Sequence, residues 1–107
     1  MKVIDAGVFA AATQASYREN LRVPHLSLGT YSIPAGAVDP QQPHTEDEIY
    51  IVLSGRAKLS TPDAVADASA GAVLFVPAGE EHRFIDVEED LTVIVVFGPA
   101  EHTLRGE

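Results

Sequence analysis

The stretch that decides the fold is GAVDPQQPHTEDEIYIVLSG, running from Gly36 to Gly55. Its second half, Glu48-Ile49-Tyr50-Ile51-Val52-Leu53, is dominated by β-branched and aromatic residues, which suit a pleated strand. Alternation along that strand puts Glu48, Tyr50 and Val52 on one face and Ile49, Ile51 and Leu53 on the other. The face carrying Glu48 is read as the inner one. The opposite face is also apolar, so it too calls for cover by a second sheet, the N-terminal segment or a partner subunit. In the first half, Gln42 and His44 lie two residues apart and share a face of a short predicted strand, 41–44.

Outward from this stretch, Gly and Pro punctuate the chain at short intervals, with β-branched and aromatic runs between them. Strands are predicted over 25–33, 41–44, 48–53, 57–59, 72–76, 82–85 and 91–97. The pattern predicts an all-β fold, an antiparallel double-sheet barrel, with at most one short helix in the alanine-rich segment 6–18. The run Ala72-Val73-Leu74-Phe75-Val76 is long and apolar enough for a strand buried on both faces. Pro77-Ala78-Gly79 ends it, because proline fixes φ and glycine is free to take φ > 0. His82, Phe84 and Asp86 then share one face of the next strand.

At 107 residues the chain makes one domain. Its expected parts are an N-terminal segment 1–24 packing on or extending the barrel, a barrel core 25–99 and a tail 100–107. A hydrophobic content of 46% fits an ordinary globular protein. No apolar run approaches the ~18 residues of a membrane helix. Asp5 interrupts the start before a signal-peptide core can form, so a soluble, cytoplasmic protein is expected. The absence of cysteine excludes disulfides, thiolate metal sites and thiol catalysis. The net charge of −9 repels phosphate backbones and anionic membranes, so neither nucleic acid nor membrane is expected as a partner.

Two spaced patterns stand out: Gly36-x5-Gln42-x-His44-x3-Glu48-x6-Gly55 and Gly71-x5-Pro77-x-Gly79-x2-His82-x3-Asp86. In these the chain resembles a small single-domain cupin, with Gln42 where the family's usual form has histidine and Asp86 where it has asparagine. The resemblance spans 36–86, roughly half the chain. It implies a jelly-roll-like barrel around one divalent metal ion, with His44, Glu48 and His82 as ligands and Gln42 at the fourth position. Gln42 either binds through its amide oxygen or hydrogen-bonds a metal-bound water or substrate oxygen. Asp86 is expected to be structural, accepting backbone hydrogen bonds at a turn.

The implied ligand set constrains the local chain path. At ~3.3 Å per residue, His44 and Glu48 would stand about 13 Å apart on one strand. Bonds of ~2 Å to a shared ion cannot span that gap. The chain must therefore reverse between them, and Thr45-Glu46-Asp47 is a polar connector suited to a hairpin.

Two imidazoles and one carboxylate form the ligand set of non-haem Fe(II) oxygenases. An amide oxygen beside them shifts preference from Cu or Ni toward Fe(II), Mn(II) or Zn(II), without excluding Ni. Tyr50, Phe84 and Val52 are weaker candidates, as pocket-lining residues. Catalytic residues stay unassigned, with Glu46 read as an acid or base at the rim or as a solvated loop residue. His25 and His102 read as surface or core-edge residues. Arg18, Arg22, Arg56 and Arg83 are candidate anchors for an anionic substrate, although alternation turns Arg83 away from His82.

Two functions fit: a metal-dependent dioxygenase or isomerase acting on a small oxygen-rich molecule, or a non-catalytic barrel that binds or senses a small ligand. The small domain and the apolar outward face of Ile49, Ile51 and Leu53 favour a homodimer. Light scattering at micromolar concentration should return twice the chain mass of 11.4 kDa; a monomer there would reject the expectation.

Overall fold

The computed structural model describes residues 1–5, 13–41 and 43–105. It contains the strands β1 (Ser16–Val23), β2 (Leu26–Ile33), β3 (Asp47–Ser60), β4 (Val65–Ser69), β5 (Val73–Val76) and β6 (Arg83–Gly98), then a short 3-10 turn at Thr103–Arg105. Every pairing is antiparallel. The strand order is β1-β2-β6-β3-β4, with β5 also paired to β3. The all-β antiparallel architecture is the one the strand pattern predicts. No helix among the described residues is long and apolar enough to cross a membrane.

β3 and β6 are the spine. The predicted strands 48–53 and 57–59 are one continuous β3, and 82–85 and 91–97 fall largely in one continuous β6. Gly55 was expected to separate strands; it instead sits in a bulged part of β3 where the register to β6 shifts. Its φ is +94°, and a Cβ there would lie 2.2 Å from the carbonyl oxygen of Asp90. Only glycine fits so close a backbone crossing. The bulge also changes the inward phase. Glu48, Tyr50 and Val52 point in before it, Ala57 and Leu59 after it.

The bend brings the two halves of the spine face to face. Tyr50 lies on one half of β3 and Phe84 pairs with Leu59 on the other, yet their rings meet edge to face at 4.9 Å. Around them Ile33, Val52, Val76, Leu91, Val93, Val95 and Phe97 complete a continuous core. Asp86 lies within β6 at φ 51°, a conformation that aspartate and asparagine tolerate better than most residues. The irregularity turns its side chain to solvent, away from the face of His82 and Phe84 on which simple alternation had placed it.

Several expectations are corrected. Residues 41, 43 and 44 form no strand, because Pro40 and Pro43 cannot donate to a ladder. Residues 6–12 of the predicted helix lie outside the described residues, while Ser16–Arg18 belong to β1, which extends the sheet as an edge strand. β1 and β4 escaped prediction because their sequences are polar or small rather than alternating bulky and polar. β5 is not buried on both faces. Val73 and Phe75 are 65% and 62% exposed; paired opposite Ile51 and Ile49, they continue the outward face that also carries Leu53.

The Gly55 crossing yields a paired prediction. Gly55→Ala should cost about 3 kcal/mol or more, combining strained φ with a backbone clash. Gly71→Ala has a similar φ of +92° but open space around its Cβ, so it should cost only about 1 kcal/mol. Urea denaturation of the two variants measures the difference; equal costs would show that the crossing is not tight.

Candidate metal centre

Two backbone contacts bring the halves of the site together. The Gly79 N–H donates to the His44 carbonyl at 2.7 Å. The Ala78 N–H donates to the Asp47 carboxylate at 2.8 Å. The turn expected at Pro77-Ala78-Gly79 is thus fastened onto the loop 44–47, which delivers His82 beside His44 and Glu48. The predicted reversal between His44 and Glu48 occurs, but through a bend at Thr45 and Glu46 rather than a two-stranded hairpin.

His44, Glu48 and His82 converge so that one ligand atom from each lies within 4.8 Å of the others. The side chains of Glu48 and His82 are fully enclosed, and that of His44 nearly so. Hydrogen bonding sets the tautomers. His82 Nδ1 lies 2.9 Å from the Glu80 carbonyl, which can only accept, so Nδ1 carries the proton. Its Nε2 then presents a lone pair to the site, 2.8 Å from Glu48 Oε1 and 3.0 Å from the Tyr50 hydroxyl. His44 Nδ1 faces Glu101 Oε2 at 3.4 Å, and its Nε2 points to the interior, 3.4 Å from the Gln41 amide oxygen. A carboxylate or carbonyl behind a ligating imidazole is the usual outer support of a metal-binding histidine.

The result is a buried concentration of lone pairs. Neither oxygen of Glu48 has a hydrogen-bond partner. The close approach of His82 Nε2 is an ion pair only if that ring takes a second proton. Burial pushes the His82 imidazole down, but the Glu48 carboxylate and the Glu80 carbonyl outweigh it and raise the group above its ordinary value. A cation is what this cluster lacks, whether a proton on His82 or a divalent ion held by all three side chains. The donor set fits the ion that the sequence pattern implies.

Gln42 lies outside the described residues. The amide oxygen seen at the cluster is that of its neighbour Gln41, 2.8 Å from the Tyr50 hydroxyl and 3.4 Å from His44 Nε2. Asp39 fixes this orientation. Its carboxylate can only accept, so it draws the Gln41 NH2 to 2.8 Å and turns the amide oxygen to the site. Buried Asp39 also accepts from the Tyr31 hydroxyl and from the Gln41 and Phe84 backbone N–H groups. Neither role was visible in the motif spacing. The only local signal was Asp39-Pro40-Gln41, an Asx-turn composition.

Of the weaker candidates, Tyr50 belongs to the site through its hydroxyl. Burial first, and the Glu48 charge second, hold that phenol well above its ordinary range, so it remains a neutral hydrogen-bonding group. Phe84 and Val52 are core side chains. Glu46 is corrected from a solvated rim residue to a buried one, 1% exposed. It accepts from Thr45 Oγ1 and from the backbone N–H groups of His102 and Leu104. Burial alone would raise its carboxyl, but these bonds hold it below the usual range. His25 is exposed, and His102 sits at the rim, 3.6 Å from Glu101.

A cavity of about 160 Å³ opens beside His44, walled by Tyr17, Tyr31, Gln41, Phe97 and Glu101. None of the four arginines considered as anchors lines it. Arg22 pairs with Glu19, and Arg56 with Glu88 and Glu89, all at the surface. Glu101 had no sequence signal, since it follows Gly98-Pro99 in what reads as a tail.

A family model described as a cupin domain matches residues 29–97. A Streptomyces coelicolor protein, itself uncharacterized, is 43% identical over 91 residues, which cover 85% of this chain and 87% of that one. Among solved structures, an RmlC-like cupin protein from Desulfovibrio desulfuricans aligns at TM-score 0.79 and 23% identity, covering 94% of this chain and 98% of the other. KdgF from Halomonas sp. aligns at TM-score 0.73 and 22% identity, covering 85% and 84%.

The tail contacts generate a prediction. Glu46→Ala removes the acceptor of two backbone N–H groups and should destabilise the protein by about 2 kcal/mol. Hydrogen exchange at the His102 and Leu104 amides should accelerate sharply while β6 amides keep their relative order. Unchanged exchange at 102 and 104 would show that the tail is held by something else.

Proposed function

This chain belongs to the cupin domain family, and from that premise we propose that it is a metal-dependent enzyme acting on a small oxygen-bearing molecule at His44, Glu48 and His82. The observation that carries the reading is the Glu48 carboxylate, buried with neither oxygen hydrogen-bonded beside two imidazoles, that of His82 held at its outer nitrogen by the Glu80 carbonyl and that of His44 facing Glu101. Leaving a carboxylate so placed costs several kcal/mol in the absence of a countercharge. A site that retains this cost is more readily understood as a cation-binding centre than as a packing solution.

A divalent ion there would supply Lewis acidity and a template for a chelating substrate. The remaining roles fall to the chain. Tyr50, kept neutral, has one hydroxyl proton, donated to the Gln41 amide oxygen, which a substrate oxygen next to His82 would take in its place. Gln41 offers a hard oxygen, which favours Fe(II), Mn(II) or Zn(II) over Cu or Ni. Enclosure by Phe97, Tyr31 and the core excludes bulk water from one side. Substrates with adjacent oxygens, such as an enediol, a catechol or a 2-oxo acid, match such a centre, for dioxygenation or isomerisation. A second copy of the chain, seated on the outward face of Ile49, Ile51, Val73 and Phe75, completes the reading as a homodimer.

Metal analysis of untagged protein and calorimetric titration test this. His44→Ala and His82→Ala should each abolish tight binding, because a strong donor is lost from a set of three. Gln42→Ala should cost less, since water replaces a weak amide donor. Glu48→Gln should weaken binding yet raise the melting temperature of the metal-free protein, because the amide NH2 can donate to His82 Nε2. Relief of about 1 kcal/mol moves the melting point of such a domain by roughly 4–8 °C. Full metal affinity in His82→Ala, or a Gln42→Ala loss equal to that of His44→Ala, would reject the three-ligand centre. Oxygen uptake with a chelating substrate separates dioxygenase from isomerase.

A further inference from the structure

The cavity beside His44 has an unusual wall. Four rings border it, those of Tyr17, Tyr31, His44 and Phe97, and the charged group at its lining is the carboxylate of Glu101. Tyr17 and Tyr31 meet edge to face at 6.4 Å, and His44 and Phe97 do so at 4.7 Å. Pairs in that geometry leave ring faces free to turn toward a third group. Tyr17 reaches its place because it lies over Gly29, where a Cβ would come 2.1 Å from the phenol oxygen. Burial first, then the Glu101 charge, push the Tyr17 phenol up, so it presents a neutral ring.

Glu101 is anchored through its backbone, and its carboxylate borders the cavity. Its N–H donates to Ser27 Oγ at 2.8 Å. Its carboxylate is approached by His44 Nδ1 at 3.4 Å and by His102 Nε2 at 3.6 Å, both at the same oxygen and both long for hydrogen bonds. Its side chain is only 12% exposed, so water screens its charge weakly. No lysine or arginine stands among the described lining residues. The net charge of −9 adds a field that attracts cations and repels anions.

We propose that this cavity binds the cationic end of a small ligand, an alkylammonium or quaternary ammonium group, on the ring faces of Tyr17, Tyr31 and Phe97 with Glu101 as counter-ion. Aromatic faces attract cations through the ring quadrupole, and the attraction grows as the site is desolvated. The proposal deepens the metal reading and rests on it only for orientation: the oxygen-bearing end of the ligand would face His44 and Tyr50. The cation site itself needs no metal. It also replaces the expectation of an arginine-anchored anionic substrate with its opposite.

The test uses full-length, chelator-treated protein and three probes of one shape: choline, the neutral 3,3-dimethyl-1-butanol and the anionic 3,3-dimethylbutyrate. NMR titration should show saturable shifts at the Glu101 amide and the Tyr17 and Phe97 rings with choline. Choline should bind about tenfold or more tighter than the neutral alcohol, and the acid should not bind. Glu101→Gln and Tyr17→Leu should each weaken choline about tenfold, whereas Tyr17→Phe, which keeps the ring, should restore it. Tyr17 is partly exposed on an edge strand, so its variants test the cavity without opening the core. Equal affinity for choline and the neutral alcohol would overturn the proposal, as would preference for the acid or no saturation by choline. Choline binding in a protein that takes up no metal would leave the cation site standing and reject the metal centre instead.

Discussion

Tyr50 opposite Val95 and Val52 opposite Val93 lock β3 to β6 in the register on which everything else depends. In that register Glu48, Tyr50 and Val52 face the core, and Ile49 and Ile51 face out. A slip of one residue would exchange the two sets, removing the carboxylate from the site and replacing it with isoleucine. Both faces of this segment are apolar enough that hydrophobicity alone would not forbid the slip. The Gly55 crossing does, because its backbone lies too close to Asp90 for any other residue to occupy that position. The site therefore owes its inward carboxylate to a glycine seven positions away on the same strand.

Three carboxylates are buried close to one another in sequence, and their environments assign them different work. Asp39 accepts four hydrogen bonds and ties β2, the loop and β6 together. Glu46 accepts three and holds the tail. Glu48 accepts none. Burial is nearly identical in all three, so burial cannot distinguish structure from function here. Satisfaction separates them: the lone pairs of Asp39 and Glu46 are met by N–H and O–H donors, whereas those of Glu48 are the ones the proposed cation would meet.

The same contrast explains what was legible in the sequence. The spacing of His44, Glu48 and His82 could be read directly, because the family pattern fixes them and β-strand alternation makes Glu48 face in. The burial of Glu46 could not, since its partners are backbone N–H groups some fifty-odd residues away. Gln41 and Gln42 are indistinguishable by composition. What makes Gln41's amide oxygen face the site is Asp39, whose carboxylate claims the NH2. Gly55 reads as a turn in any local analysis, and its role as a bulge follows only from the strand that crosses it. The acidic run Glu88-Glu89-Asp90 has the composition of a solvated turn, yet it is part of β6 with its side chains outward. Local pattern recovered the elements, and long-range contacts decided where they ended.

The proposed metal centre and the cavity beside it draw on different parts of the chain. His44, Glu48 and His82 come from the motif loops and the start of the spine strand, which the backbone bonds at Ala78 and Gly79 clamp together. The adjoining cavity shares His44 and Phe97 with that framework but takes further walls from elsewhere: Tyr17 from the edge strand β1, Tyr31 from β2, Glu101 from the segment after β6. The edge strand and the tail carry little of the core, so their side chains can change without disturbing the convergence of the three ligand groups. His44 is the point of contact, presenting Nε2 to the buried cluster and Nδ1 to Glu101. In the proposed reading, a change in Glu101 would reach the centre through the orientation of the His44 imidazole, and the cavity through its charge. This separation is how one scaffold can keep a fixed centre and vary its ligand.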